Sequence, residues 1–157
     1  MKTEHPSIAH VRSELESRGA AGEIRVFAFP VRTAADAAAA VGCEIGAIVN
    51  SLIFDADGAP ILILTSGAHR VETTKVARQL AVDRLGKASP EFVRQHTGQV
   101  IGGVAPVGHV KVIPTYIDPW LSKHEIIWAA AGHPDAVFST TYDELLRMTD
   151  ATTLDVD

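Results

Sequence analysis

The sequence predicts a mixed α/β (α+β) fold: a largely antiparallel, barrel-like sheet surrounded by helices. Three features carry this expectation. Two β-branched, apolar runs, Ile48 to Phe54 and Pro60 to Thr65, flank Asp55-Ala56-Asp57-Gly58, and Asp-Gly tolerates the positive φ of a tight hairpin turn. The run Ile61-Leu62-Ile63-Leu64 is apolar without alternation, as in a strand buried on both faces. Helical patterns interrupt the strands without a regular βαβ repeat.

The elements follow in order. Ser7 precedes Ile8, Val11 and Leu15 at helical spacing, and Gly19 ends that helix. A short strand is expected from Ile24 to Phe29, stopped by Pro30. Thr33 is an N-cap with Asp36 in capping-box position, and Gly42 suits the left-handed site after Val41. After the hairpin, Val71 to Leu80 reads as a helix, and Ser89-Pro90-Glu91 opens another with proline at its first position. The glycine-rich passage Gly102-Gly103-Val104-Ala105-Pro106-Val107-Gly108 follows. Strands are expected at Val110 to Ile113, Glu125 to Ala131 and near Ala136 to Phe138. Thr141-Tyr142-Asp143-Glu144 opens a last helix through Leu145 and Met148.

A length of 157 residues suits one domain spanning 1–157 with one core. No apolar run approaches the ~20 residues that cross a bilayer. Met1-Lys2-Thr3-Glu4-His5-Pro6 carries charge and a proline where a signal peptide is apolar, and Cys43 alone builds no disulfide framework. These features favour a soluble, cytoplasmic protein without membrane partners. A net charge of −5 argues against tight nonspecific nucleic-acid binding, yet leaves room for a grip on one RNA end by a few local cations. No metal or other cofactor is expected. The histidines at 5, 10, 69, 96, 109, 124 and 133 show no ligand spacing, and a calcium loop from Asp55 fails at Ala59 and Pro60. No serine sits in a nucleophile elbow.

Two places invite a chemical reading. Asn50 shares a strand face with Ile48, Leu52 and Phe54, while Ser51 lies with Val49 and Ile53. An unpaired amide on an apolar face costs about 1–3 kcal/mol, so Asn50 needs either a bonded neighbouring loop or a polar cavity. In Gly102 to Gly108, three glycines and a proline let the backbone approach a ligand and offer N–H groups to it; a tight connecting loop is the alternative. Arg70, Lys75 and Arg78 form either a basic face or ordinary solvated helix charges.

In order along the chain stand Thr33-Ala34-Ala35-Asp36-Ala37-Ala38, Ile48-Val49-Asn50-Ser51-Leu52-Ile53-Phe54, Ala68-His69-Arg70-Val71, Thr97-Gly98-Gln99-Val100-Ile101-Gly102-Gly103-Val104-Ala105-Pro106-Val107-Gly108 and Ala131-Gly132-His133-Pro134. This series, from about residue 33 to 146, resembles the YbaK/EbsC family, whose members are similar to the editing domain inserted in bacterial prolyl-tRNA synthetases. The resemblance implies a curved, barrel-like α/β fold and hydrolysis of amino acids wrongly attached to tRNA. The aminoacyl-tRNA 3′ end is the implied partner, and a homodimer is allowed. The family's Gly-x-x-x-Pro loop matches Gly102 to Pro106 and is expected to hold the aminoacyl ester. The usual lysine of the central strand is Asn50 here, whereas Ser51 and Leu52 match. The implied site therefore comprises Asn50 and Gly102 as catalytic positions, with Ser51, Gly103, Pro106 and Gly108 binding substrate. His109, directly after the loop, and His124, near the position of a pocket histidine in related editing domains, join it as binding candidates. Lys75 or Lys111 is a candidate substitute for the missing charge. Asparagine keeps hydrogen bonding but loses that charge, so a member that binds a ligand or partner without turnover is the competing implication.

Overall fold

The computed structural model describes residues 4–29 and 31–157. Residues 1–3 and the expected strand stop at Pro30 lie outside the described residues. The first helix, α1 (Pro6–Ser17), is capped by His5, whose Nδ1 accepts the Ser7 N–H at 3.1 Å, and it buries Ile8, Val11 and Leu15. A short strand, β1 (Ile24–Val26), leads to α2 (Ala34–Val41), which Thr33 caps and Gly42 ends at φ 78°. A turn of 3-10 helix, Ile45–Ala47, then enters the hairpin of β2 (Ile48–Ala56) and β3 (Ala59–Ser66). Asp57 and Gly58 both have positive φ, the geometry of a two-residue type I′ turn, and Asp55 Oδ1 accepts the Gly58 N–H at 2.7 Å.

Helix α3 (Thr73–Gln79) and strand β4 (Leu85–Lys87) come next. Helix α4 (Pro90–Thr97) runs from its Ser89 cap to Gly98 at φ 75°. The chain continues through the glycine-rich loop to β5 (Thr115–Ile117), a 3-10 helix (Pro119–Lys123), β6 (Ile127–Ala130) and β7 (Ala136–Thr140). Helix α5 (Tyr142–Thr149) and strand β8 (Thr152–Thr153) close the described chain.

The strands form one mixed sheet in the order β1-β7-β6-β2-β3-β5-β8, with β4 also pairing to β2. Four of its seven ladders are antiparallel, which gives the mixed, largely antiparallel α/β class. The largest apolar cluster joins Val49, Ile53, Leu62 and Leu64 from the hairpin to Phe138, α1, α4, α5 and the loop residues Val104, Ala105 and Val107. No described helix is long and apolar enough to cross a membrane.

Three expectations are corrected. Residues 110–113 form no strand, with bends at Val110 and Lys111, and Val112 is fully exposed. The β3 edge they would need is taken by β5, which starts after Pro114, whose carbonyl accepts the Leu62 N–H at 2.9 Å. Strand β1 ends at Val26 rather than Phe29, the N–H of Phe27 still reaching Asp135 O at 2.7 Å. The strand expected over 125–131 is trimmed to β6.

Register fixes what faces what along β2. Strand β3 covers one edge of it from Val49 to Ala56. On the other edge, β6 pairs only with Ile48 and Val49, and β4 only with Phe54 to Ala56. Residues 50–53 therefore have no strand partner on that side. The type I′ turn makes Ala56 and Ala59 a hydrogen-bonded pair, so alternation turns the N–H and C=O of Ser51 and Ile53 toward the bare edge. The Asp57 N–H to Arg84 O bond on that edge and the Gly67 N–H to Ile48 O bond on the β3 side agree with this parity. Leu64, fully buried opposite Ser51, anchors the arrangement. Leu64→Ala is expected to cost about 2–5 kcal/mol of stability in urea unfolding, and a loss below about 1 kcal/mol would contradict its place in the core.

Candidate active site

A cavity of about 630 Å³ opens along the bare edge of β2. Every residue from Ile48 to Phe54 lines it, from both faces of the strand, which a cavity can contact only by running along a strand edge. Thr33, Ala34 and Ala37 of the α2 region, Val93 of α4, Trp128 and Ala130 of β6, and Pro134 supply other walls. Ile101, Gly102 and Val104 close it from the glycine-rich loop.

The cavity is mostly apolar but charged in one sense. Arg32, Arg70 and Lys87 line it, and among the described residues no aspartate or glutamate does. None of the three cations joins an ion pair among the described residues. A chain of net charge −5 thus gathers a local positive field in one concave place.

Asn50 lines the cavity, and its side-chain amide makes no hydrogen bond among the described residues. Thr65 Oγ1 on its cross-strand partner, and Ser51 Oγ on the opposite face of β2, are buried without a hydrogen-bond partner among the described residues. Buried polar atoms of folded proteins are nearly always paired, so these hydroxyls and the open amide single out this stretch of the hairpin as a candidate for polar contacts.

The loop is held by side chains behind it. Gln99 is 4% exposed; its Oε1 accepts the Ala105 N–H at 2.7 Å, and its Nε2 donates to Val107 O at 3.1 Å and Gly108 O at 3.3 Å. Thr97 Oγ1 accepts the Gln99 N–H at 2.9 Å and donates to Val93 O at 2.7 Å. His10 Nε2 of α1 lies 2.8 Å from Gly108 O. Gly102 adopts φ 87°, a left-handed conformation that disfavours side chains. Gly103 is needed for a different reason: a Cβ there would lie 2.7–2.8 Å from the backbone of His133 and Pro134.

Of the residues singled out in the sequence, Asn50, Ser51 and Gly102 meet at the cavity. Gly103, Pro106, Gly108, His109 and His124 do not line it. Gly103, Pro106 and Gly108 are buried in the frame of the loop. His109 Nε2 donates to Ala105 O at 2.7 Å from behind, and burial holds its imidazole below the usual range despite that bond. His124 ends the 3-10 helix against Gly46, where an added Cβ would meet its Nε2 at 2.9 Å. Lys75 lies elsewhere, its Nζ 2.8 Å from Asp155 Oδ2 and 2.7 Å from Asp157 O, and Lys111 is exposed on the bends after the loop. The cations at the cavity are instead Arg32, Arg70 and Lys87. Arg32 and Lys87 escape a sequence reading because one precedes a helix cap and the other ends a three-residue strand. Gln99 carried a visible signal, a long polar side chain between a helix-ending glycine and an apolar, glycine-rich run.

The model of a family described as aminoacyl-tRNA editing domain matches residues 29–148. A solved structure of a candidate trans-editing enzyme for prolyl-tRNA synthetase is 40% identical and superposes with a TM-score of 0.93, covering 99% of both chains. The uncharacterized protein YwhH of Bacillus subtilis is 25% identical over 139 residues, 88% of each chain. A proline–tRNA ligase of Bacillus licheniformis is 35% identical over 88 residues, which are 56% of this chain and 15% of the ligase.

The buried, neutral His109 has a consequence for stability. Its folded pKa lies below the ordinary 6.5, so the unfolded chain binds the proton more readily. Its contribution is complete above that ordinary value and is lost as pH falls through the lower folded pKa. Urea unfolding at pH 7.5 and 5.5 is expected to show wild type losing more stability on acidification than His109→Gln; equal losses would contradict this assignment.

Proposed function

The chain belongs to the aminoacyl-tRNA editing domain family, and from that membership we propose that it is a deacylase that hydrolyses the ester between a small amino acid and the 3′ end of a mischarged tRNA, acting in trans. The observation that carries this reading is the cavity itself: concave, free of acidic groups and ringed by Arg32, Arg70 and Lys87. The last phosphates of an RNA strand are anionic, and guanidinium and ammonium groups are the side chains that hold them. A volume of about 630 Å³ is in the usual range for small-molecule sites and suits a terminal nucleoside with a small aminoacyl group. The apolar walls limit the size of that group, although one methylene is worth only about 1–3 kcal/mol.

The chemistry assigned to the cavity is positioning and charge stabilisation. No histidine or carboxylate lines it, so no side chain there is a ready general base. A water attacks the ester carbonyl, its proton drawn off through the substrate's own ribose hydroxyl. The tetrahedral oxyanion forms beside backbone N–H groups, the ester C–O bond breaks, and the ribose oxygen leaves protonated. The Gly102 and Val104 amides, neither hydrogen-bonded among the described residues, and those of Ser51 and Ile53 on the bare edge are the donors within the cavity walls. The Asn50 amide orients the ester.

One observation favours a second reading, in which the cavity binds its ligand without turnover: an uncharged Asn50 stands where the family resemblance expects lysine. A single experiment separates the two. The purified 157-residue chain is offered a panel of mischarged tRNAs beside Gly102→Ala and Asn50→Lys variants. One small amino acid is expected to be released by wild type, and at least about tenfold more slowly by Gly102→Ala, because alanine is strained at φ 87° and shifts the loop amides, and a lost oxyanion donor costs about 10²–10³ in rate. No release by wild type, with release restored by Asn50→Lys, would establish the binding reading instead.

A further inference from the structure

Arg70 reaches the cavity from a turn whose fastening exceeds what closing a chain reversal requires. Gly67 N–H donates to Ile48 O at 2.7 Å, and His69 N–H to Ser66 O at 3.0 Å, which already close the turn. Side chains add a second layer. Ser66 Oγ donates to Gly46 O at 2.7 Å and accepts the Ala68 N–H at 3.2 Å. Asp118, only 2% exposed, accepts the Ser66 N–H on Oδ2 at 3.1 Å and the Trp120 N–H on Oδ1 at 2.9 Å. The same Oδ2 lies 2.7 Å from His69 Nδ1, and the His69 ring rests against Trp120 with centroids 4.9 Å apart.

A buried carboxylate is costly unless several donors meet it, and here three do. Two of those are backbone N–H groups that fix the end of β3 and the start of a 3-10 helix. The third, His69, fixes the residue directly before Arg70. On the other side of Arg70, Val71 packs against the cluster containing Ile63 and Val76. Arg70 is thus exposed and outside any ion pair among the described residues, yet stands between two anchored neighbours and lines the cavity. An arginine side chain loses substantial rotamer freedom on binding, and a fixed backbone origin lowers that cost.

We propose that His69 and Asp118 form a positioning pair that aims Arg70 at the phosphodiester nearest the RNA 3′ end. This assignment rests on the deacylase reading above. It gives a role to Ala68-His69-Arg70-Val71, a quoted segment that lies outside both the glycine loop and β2. His69 acts through Arg70 and does not touch the substrate.

The test uses the whole chain and a 5′-labelled RNA minihelix ending in CCA, with binding followed by fluorescence anisotropy and hydrolysis followed on the aminoacylated form. Arg70→Ala is expected to weaken binding about tenfold, the order of one hydrogen-bonded charge, and to make it less sensitive to salt. His69→Ala is expected to weaken binding about fivefold, with most of the hydrolytic effect in KM, and to have no further effect when combined with Arg70→Ala. His69→Asn, whose Nδ2 can donate from the place of Nδ1, should restore binding. His69→Gln, which carries its donor one atom further out, makes the same test if His69→Ala is too unstable to purify. Multiplicative effects of His69 and Arg70, or wild-type binding by His69→Ala, would overturn the positioning role while leaving wild-type hydrolysis intact. Absence of binding and hydrolysis by wild type would instead remove the deacylase reading, and this proposal with it.

Discussion

The site depends on one constraint of hydrogen-bonded sheets: a strand has two edges, and β2 shares one of them between two short partners. Strand β6 takes its beginning and β4 its end, and neither is long enough to meet the other. Inside a domain, unpaired backbone is costly, so a gap of this kind persists only where something polar can reach it. The bare stretch 50–53 brings backbone N–H and C=O groups and the Asn50 amide to one cavity without distorting the hairpin that carries them. Rigidity comes from the β3 side, where the ladder runs unbroken from Val49 to Ala56.

The glycine-rich loop answers that edge from the opposite wall. Its backbone is presented to the cavity because its carbonyls are occupied elsewhere: Ala105 by His109, Val107 by Gln99, and Gly108 by Gln99 and His10. Helix α1 lies before the matched family region yet supplies His10, so the loop is braced partly from outside that region. The same division of labour appears at the 66–70 turn, where Asp118 and His69 sit behind and Arg70 in front. In both places the side chains that face the cavity are few, and those holding the backbone are many.

Much of the fold was legible because its signals are local. Thr33, Ser89 and Thr141 cap helices by bonding the N–H three residues on, and Asp57-Gly58 makes its turn by φ alone. The site was half legible. Asn50 was conspicuous as an amide in an apolar run, and Gly102 as part of a dense glycine cluster. What failed was decided by partners distant in sequence. Residues 110–113 have strand composition but no free edge to join, since β5 occupies it. His109 was placed at the site by proximity along the chain and His124 by the family resemblance, yet ring direction depends on packing: one faces Ala105 O from behind and the other fills the space over Gly46. Arg32 and Lys87 were hidden for the same reason, because they join Arg70 only when three separate segments fold together.

The charge contrast between the cavity and the rest of the molecule bears on how long a ligand stays. On the deacylase reading, an overall charge of −5 gives the body of an RNA no net attraction, while a recess without acidic groups among the described residues attracts the tip. Such a surface discourages sliding along the helix and end-on encounters dominate. Departure is eased as well, because little of the long polyanion is neutralised once the end lets go. A recess of this design favours brief visits and rapid sampling over tight retention, the kinetic regime of an inspector that must examine many correct molecules for each faulty one.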